Sequence, residues 1–395
     1  MSFKLTKNQL FIGKIIGGIC IGVLVAALGY FIYQKLQLDS KISLLKSDKS
    51  KLGQQLAKVG VELKNLKSQD QYKINRQLEA DMKKIETTYD LAVKTYEKLL
   101  DLKNISKKTD KFDSQFADSL TFLSKRNYSS GEAQLKALST SIDDESQRIA
   151  SAFQIPQNVA SNNSPPGSGY SSQLVHSDVG DFLVEIIAAD MNSTRVIVDS
   201  ASDSDCKNDC PVLPLADYVS RSGAFAGVNG SYFCPADYPS CSGKKNSFDT
   251  LLMNKNKHYI NSDNNVYSTV PAAIFLGNSM RFVGRSLEWG RDTGVDGVIA
   301  NFPLLVSGGN IVFNGDGEPK HGAKGSRSFV GSTGNTAYIG VVFNATVAEA
   351  AHVLHTLGIQ GALNLDDGGS TALWSGGYKA GPGRNLPNAV LFVRK

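Results

Sequence analysis

The chain has 395 residues, too many for one ordinary domain, and sets 42 lysines and arginines against 37 aspartates and glutamates, a net charge of +5. That excess is mild and gathers near an apolar N-terminal run, so it leaves no nucleic-acid footprint and no nucleic-acid partner is expected. Composition shifts sharply along the chain, and its two halves are read separately.

Residues 15–33, IIGGICIGVLVAALGYFIY, carry no charge. They are long enough to cross a hydrocarbon core of about 30 Å at about 1.5 Å per residue. A cleaved signal peptide competes, since Lys4, Lys7 and Lys14 precede the run and Val25-Ala26-Ala27 resembles a small-residue cleavage site. The apolar stretch continues to Tyr33, longer than a signal peptide needs, which favours a single-pass anchor behind a short cytoplasmic segment, 1–14. The positive-inside rule decides little, because Lys35, Lys41 and Lys46 follow on the other side.

A heptad seam follows at Leu38, Ile42, Leu45, Leu52, Leu56, Val59, Leu63 and Leu66, with Lys49 in one seam position. A second, out of phase, runs through Leu78, Met82, Ile85, Tyr89, Ala92, Tyr96 and Leu99, beyond the polar SQDQYKINRQ. Residues 35–152 are therefore expected to form a helical coiled-coil stalk. Homo-oligomerisation through the seam and a hairpin closed on itself both stay open, because the polar interruption reads equally as a turn. Residues 153–174, rich in Pro, Ser, Asn and Gly, read as a flexible linker.

From 175 to 395 the chain turns to short apolar runs such as DFLVEIIAAD, TRVIVDS, AYIGVVFN and AVLFVRK, with few helices. The expected fold class is α+β: a β-rich mixed-sheet catalytic domain after an N-terminal transmembrane helix and coiled-coil stalk. One helix is well signalled. Thr346 and Glu349 make a capping box, Ala350, Val353, Leu354 and Leu357 line one face, and Gly358 closes it. Cys206, Cys210, Cys234 and Cys241 cluster in even number, which suits two disulfides and an oxidising, extracytoplasmic compartment. Of three connectivities, Cys206 with Cys210 and Cys234 with Cys241 is the expectation. A zinc site is disfavoured, because neither pair has the two-residue spacing of common zinc knuckles.

Four stretches hold residues suited to chemistry, and each has a bland reading. GVNGSYF, residues 227–233, sets Asn229 and Ser231 about Gly230, and in isolation Asn-Gly signals a hairpin. GSRSFVGS, 325–332, holds Arg327, and PGRNLPNAV, 382–390, holds Arg384 and Asn388; a single arginine is usually a solvated surface residue. GALNLDDGGST, 361–371, places Asp366 and Asp367 at the end of an apolar strand, although Asp-Gly is also a common turn. His352 and His355 lie three apart on the capped helix, compatible with a shared metal but more often a polar face, and His321 sits in a Gly and Lys loop with no partner indicated.

In combination these stretches say more. NGSYF, PLLVSGGN, GSRSFVGS, a helix ending in LGIQGALNLDDGGST, and RNLPNAVLF, in this order, resemble the phosphodiester glycosidase family over residues 175–395. The family's most specific element reads Asn-Leu-Asp-Gly-Gly-Gly-Ser. Asn364, Leu365, Asp366, Gly368, Gly369 and Ser370 match it, and Asp367 stands where the family has its first glycine, a position where aspartate tolerates a left-handed backbone less well. The coiled-coil half lies outside the resemblance.

The resemblance implies hydrolysis of sugar-1-phosphodiester linkages in envelope or extracellular glycans. A phosphodiester is an anion, so planar bidentate donors should hold it, a role given to Arg327 and Arg384. Asp366 is assigned as nucleophile, base for water, or electrostatic partner of an oxocarbenium-like centre, with Asp367 as a second catalytic carboxylate. Asn229 and Ser370 are candidate donors to sugar hydroxyls or phosphate oxygens, and the Gly368 and Gly369 amides a candidate anion nest. No cofactor is certain; a divalent cation enters only if the phosphorus–oxygen bond is the one broken. The alternative is a catalytically silent glycan-binding module on a stalk.

Overall fold

The computed structural model describes residues 7–263 and 269–395, so the first six residues of the expected cytoplasmic segment lie outside the described chain. Residues up to Ile85 and residues from Glu86 onward form two separate compact units.

The first unit is helical. Helix α1 spans Lys7–Ser68 and α2 spans Asp70–Ile105, so the expected polar interruption shrinks to a single break at Gln69. There the Gln69 carbonyl accepts from the Tyr72 and Lys73 amides and starts the next helix at once. From Gly17 the apolar part of α1 is long enough to cross a membrane, a criterion that an N-terminal signal sequence also meets. The seam residues Leu38, Leu45, Leu52 and Leu56 are exposed.

In the second unit the C-terminal half of α2 packs with α3, Asp110–Ser124, and α4, Tyr128–Ser151, around Leu99, Leu102, Phe112, Leu138 and Ile142. Here the seam residues Ala92 and Leu99 are buried against their own chain. Asn127 caps α4 by accepting from the Ser130 amide. The Asn344 side-chain amide donates to the Ala150 carbonyl at 2.9 Å and ties the end of α4 to the domain that follows.

That domain is β-rich and built from three sheets. An eight-stranded sheet places strand Gly180–Asp190 beside Thr336–Ala345, then Gly325–Thr333, Gly361–Asn364 and Leu304–Ser307. One five-stranded sheet centres on Gly297–Ala300. The other runs from Tyr378–Ala380 through Ala224–Asn229 and Asn388–Arg394 to Thr194–Ser200. All three give inward-facing residues to one core, among them Ile187, Val198, Val228, Phe275, Val330, Leu363 and Phe392. The run 182–189, apolar but for Glu185, is explained by burial on both faces, the second lying under helix Val347–Thr356. That helix has the capping box expected of it: Thr346 Oγ1 accepts from the Glu349 amide and Glu349 Oε2 from the Thr346 amide.

Two expectations are corrected. Part of the stretch read as a flexible linker is held in the sheet, because Gly169–Ser177 pairs antiparallel with Gly180–Asp190 and Ala160–Ser161 pairs parallel with Gln173 and Leu174. Asn229-Gly230 is not a hairpin turn. It is a strand end whose amides bond the carbonyls of Ala372 and Asn388, partners far away in sequence.

Disulfides join Cys206 to Cys210 and Cys234 to Cys241, with Cα–Cα distances of 5.7 and 5.4 Å, and the remaining cysteine, Cys20, is free. Alkylation of the unfolded chain without reductant should therefore label Cys20 and none of the other four, as read by mass spectrometry; label on those four would contradict the pairing and the oxidising compartment.

Candidate active site

The strand Gly361–Asn364 ends where the two sheets meet, and its next residues enter that junction. Asn364 and Asp366 are pinned by backbone bonds: the Asn364 amide donates to Pro303 O and the Asp366 amide to Gly230 O. The Asn229 side chain then locks the corner. Its Nδ2 donates to Asp366 O at 2.5 Å, and its Oδ1 accepts from Ser328 Oγ at 2.8 Å and Ala372 N at 3.0 Å. Asn388 works the same way, accepting from Ser231 N at 2.9 Å and donating to Ser231 Oγ at 3.0 Å. Asn229, expected to meet substrate, is instead a wholly buried bolt between strands.

The Asp366 carboxyl that this corner holds is 8 % exposed. Burial, and next the negative charge of Asp367, push its pKa up to about 8, against the pull of the Ser370 hydroxyl, the Asp367 amide and the Arg384 charge. At neutral pH it is mostly protonated. That changes its expected chemistry: a carboxylic acid can deliver a proton, whereas a nucleophile or base must first lose one.

Asp367 turns the other way. Its φ of −137° is ordinary extended backbone, so the aspartate in the family's glycine position costs no strain; the left-handed residue is Gly368, at φ +59°. Asp367 Oδ2 pairs with Arg327 Nη1 at 2.6 Å and accepts from the Tyr232 hydroxyl at 3.2 Å. Arg327 has little left to offer a ligand. Its Nε donates to Ala345 O and its Nη2 to Lys320 O, both at 2.9 Å, and Nη2 also donates to Ala323 O. Its guanidinium is 5 % exposed. The structure thus makes Arg327 the clamp of Asp367 and of the loop before its strand, not a free anion seat.

Arg384 is the contrary case. Its amide bonds Gly369 O at 2.9 Å, its guanidinium stacks 5.1 Å from the Tyr238 ring centroid, and its nearest carboxylates, Asp237 and Asp101, stand 3.9 and 4.0 Å away. Gly369 is required for this approach, since a Cβ there would lie 2.7 Å from Arg384 Nη1 and 2.6 Å from Asn104 Nδ2. The Gly368 and Gly369 amides make no hydrogen bond among the described residues. Arg384, those amides, Ser370 and Asp366 are the expected residues that lie close together.

Sequence reasoning missed several neighbours. Tyr232 bridges Asp367 and Asn364, whose Nδ2 donates to its hydroxyl at 2.7 Å; burial and the Asp367 charge raise the phenol's pKa, so it stays a donor. His321, left without a partner by the sequence, bonds Asp316 through Nδ1 at 2.8 Å and stacks on Tyr232 with Phe302 and Phe313 at its edges. The last turns of α2 pack against this group: Glu97 Oε1 accepts from Ser240 N at 2.9 Å, Asp101 accepts from the Tyr238 hydroxyl, and Asn104 faces Gly369. Tyr232 was signalled by its place in NGSYF, whereas Asp101 and Asn104 lie outside the resemblance and carried no signal. His352 is paired with Asp178 at 2.9 Å, and the described residues contain no cluster of three metal-ligating side chains.

Residues 222–393 match the sequence model of the phosphodiester glycosidase family, the family that the motif order resembles. No match is found among curated proteins. Among solved structures, a hypothetical protein from Synechocystis is 14% identical over 57% of this chain and 62% of its own, with a TM-score of 0.42. The zebrafish N-acetylglucosamine-1-phosphodiester alpha-N-acetylglucosaminidase catalytic domain, auto-inhibited by pro-peptide, is 14% identical over 60% of this chain and 87% of its own, with a TM-score of 0.45. A putative exported protein from Burkholderia pseudomallei is 11% identical over 54% and 74%, with a TM-score of 0.34.

The raised pKa of Asp366 has a thermodynamic signature. The folded state holds this proton more tightly than the unfolded chain, where the group titrates near about 3.9. Its contribution therefore favours folding fully below that value and is lost as pH rises towards 8. Asp366→Asn imitates the neutral form. It should abolish turnover, while its melting temperature relative to wild type climbs between pH 5 and pH 9; a deep loss of Tm at every pH would make Asp366 structural.

Proposed function

We propose that this protein is a membrane-anchored hydrolase of glycosyl phosphodiester linkages in envelope or extracellular glycans, working outside the cytoplasm. The observation that carries the reading is a buried, proton-holding Asp366 near Arg384, a cation that no carboxylate among the described residues approaches closer than 3.9 Å. Such a pair suits an anionic substrate whose departing group needs a proton. An ionised Asp366 would repel the diester; the neutral acid does not.

In this mechanism Arg384 takes two phosphate oxygens in its planar fork, and the Gly368 and Gly369 amides share the charge. Water attacks the anomeric carbon, the carbon–oxygen bond to phosphate breaks, Asp366 gives its proton to the leaving phosphate oxygen, and the proton that the attacking water sheds passes to solvent, from which Asp366 is recharged. Asp367, held in its Arg327 pair, faces the positive charge that develops on the sugar, and Tyr232 fixes its orientation. A phosphate diester is already a weakly basic leaving group, so the proton assists rather than dominates. The apolar N-terminal helix and the disulfides support an extracytoplasmic domain on a single anchor, and the exposed seam of α1 supports self-association through a coiled coil.

The two arginines separate this reading from simple glycan binding. Arg384→Lys keeps the charge but loses the fork. A charge-assisted contact is worth about 1.5 to 3 kcal/mol, so kcat/KM for a sugar-1-phosphodiester should fall by roughly one to two orders of magnitude. The fall for a neutral glycoside of the same sugar should be smaller, and Arg327→Lys should chiefly lower the melting temperature. Equal losses on both substrates would remove the phosphate role of Arg384, and binding without turnover in the wild type would make the domain a glycan-binding module.

A further inference from the structure

A second basic site lies at the other end of the sheet that carries Asn388. Strand Asn388–Arg394 leaves the candidate active site at Asn388, and its last two residues line an open cavity of about 500 Å³. At about 3.3 Å per residue, the two ends of this strand are some 20 Å apart. Five cations, Arg195, Arg221, Lys255, Lys257 and Arg394, line the cavity, with Asp296 as the carboxylate among them. Ile197, Phe225 and Val393 give it an apolar floor.

The charge there is neither balanced nor loose. Behind the wall Asp199, 2 % exposed, takes Arg221 in a bidentate pair at 2.7 and 2.8 Å and Lys255 at 2.9 Å, one carboxylate against two cations. Arg221 is further fixed over the Tyr218 ring at 4.7 Å, and its Nη1 makes no hydrogen bond among the described residues. Lys257 donates to a carbonyl, that of Val295, which cancels no charge, and Asp296 is engaged by the Gly277 amide at 2.8 Å. Arg195 and Arg394 are exposed and make no ion pair among the described residues. Five cations thus face two carboxylates, and the innermost cations are already ordered, so an anion would meet them with little further loss of side-chain freedom.

We infer that this cavity binds a phosphate-bearing organic ligand, its phosphate on Arg221, Arg195 and Arg394 and its organic part on the floor of Ile197, Phe225 and Val393. Arginine forks match phosphate oxygens in pairs, and the apolar floor suits the ring or chain that the phosphate esterifies. Two sources share this chemistry: a neighbouring phosphate unit of the polymer whose linkage sits at Asp366, or a separate soluble organophosphate. Only the first rests on the hydrolase reading.

Calorimetric titration of the full chain in detergent with inorganic pyrophosphate tests the site, performed on an Arg384→Ala background so that the candidate active site does not report. Pyrophosphate should bind, more weakly as salt rises, and the exposed pair Arg195→Glu/Arg394→Glu on that background should weaken it by at least about tenfold. Unchanged affinity after charge reversal in a protein of unaltered melting temperature, or no binding on the Arg384→Ala background, would overturn the inference. The source is read with Arg384 intact. If the double reversal raises KM for a dimeric glycosyl phosphodiester but not for the monomer, the polymer is the ligand; loss of pyrophosphate binding with both KM values unchanged identifies a separate organophosphate. The titration needs no turnover, so a chain that hydrolyses nothing still answers the first question.

Discussion

Burying a carboxyl where two sheets meet is the constraint around which the rest of this site is arranged. The junction demands that strand ends from Ala224–Asn229, Gly325–Thr333, Gly361–Asn364 and Asn388–Arg394 satisfy their polar groups without water. Asn229 and Asn388 do so, each with both side-chain functions engaged and each wholly buried. Neither gap between strands would close with an apolar residue, because backbone and hydroxyl groups would be left unpaired. Once the corner is closed, Asp366 is desolvated and keeps its proton. The reactivity of the site follows from the same bonds that hold the sheets together.

The two adjacent aspartates then divide their work through the arginines they meet. Asp367, extended at φ −137°, reaches a guanidinium almost fully consumed by carbonyls and is held in an ion pair with it. Asp366 feels the positive charge of Arg384 without forming a close pair with it. The proposed outcome is an acid and a carboxylate side by side, two roles from one residue type set by environment. The end of α2 adds a wall that a β-rich domain alone would lack, through Asp101 at Tyr238 and Asn104 at Gly369.

Local features were legible in the sequence and distant pairings were not. The helix at 347–356 follows from Thr346, Glu349 and Gly358 because a cap is decided within a few residues. The two disulfides close loops of four and seven residues, and nearness in sequence favoured the observed pairs. The aspartate-glycine stretch was recognisable by motif. What it does depends on Asn229, 137 residues earlier, and on Gly230, whose carbonyl receives the Asp366 amide. Asn-Gly reads as a hairpin from its own propensity; partners from other strands overruled that. In the same way Arg327 and Arg384 are alike as sequence, one in a Gly and Ser-rich approach and one beside Pro and Gly. Only the fold surrounds the first with carbonyls and leaves the second without a close carboxylate among the described residues.

The central claim, that the junction keeps Asp366 protonated at neutral pH, is tested most directly by titrating that carboxyl itself. Aspartate carbon-13 labelling with carboxyl NMR, assigned by the signal missing from Asp366→Asn, reads its charge without reference to turnover. The account predicts a midpoint near the value of about 8 set by burial and by Asp367. A midpoint near the ordinary value of 3.8 would mean that the carboxyl is ionised in the resting protein, and would contradict its role as the acid.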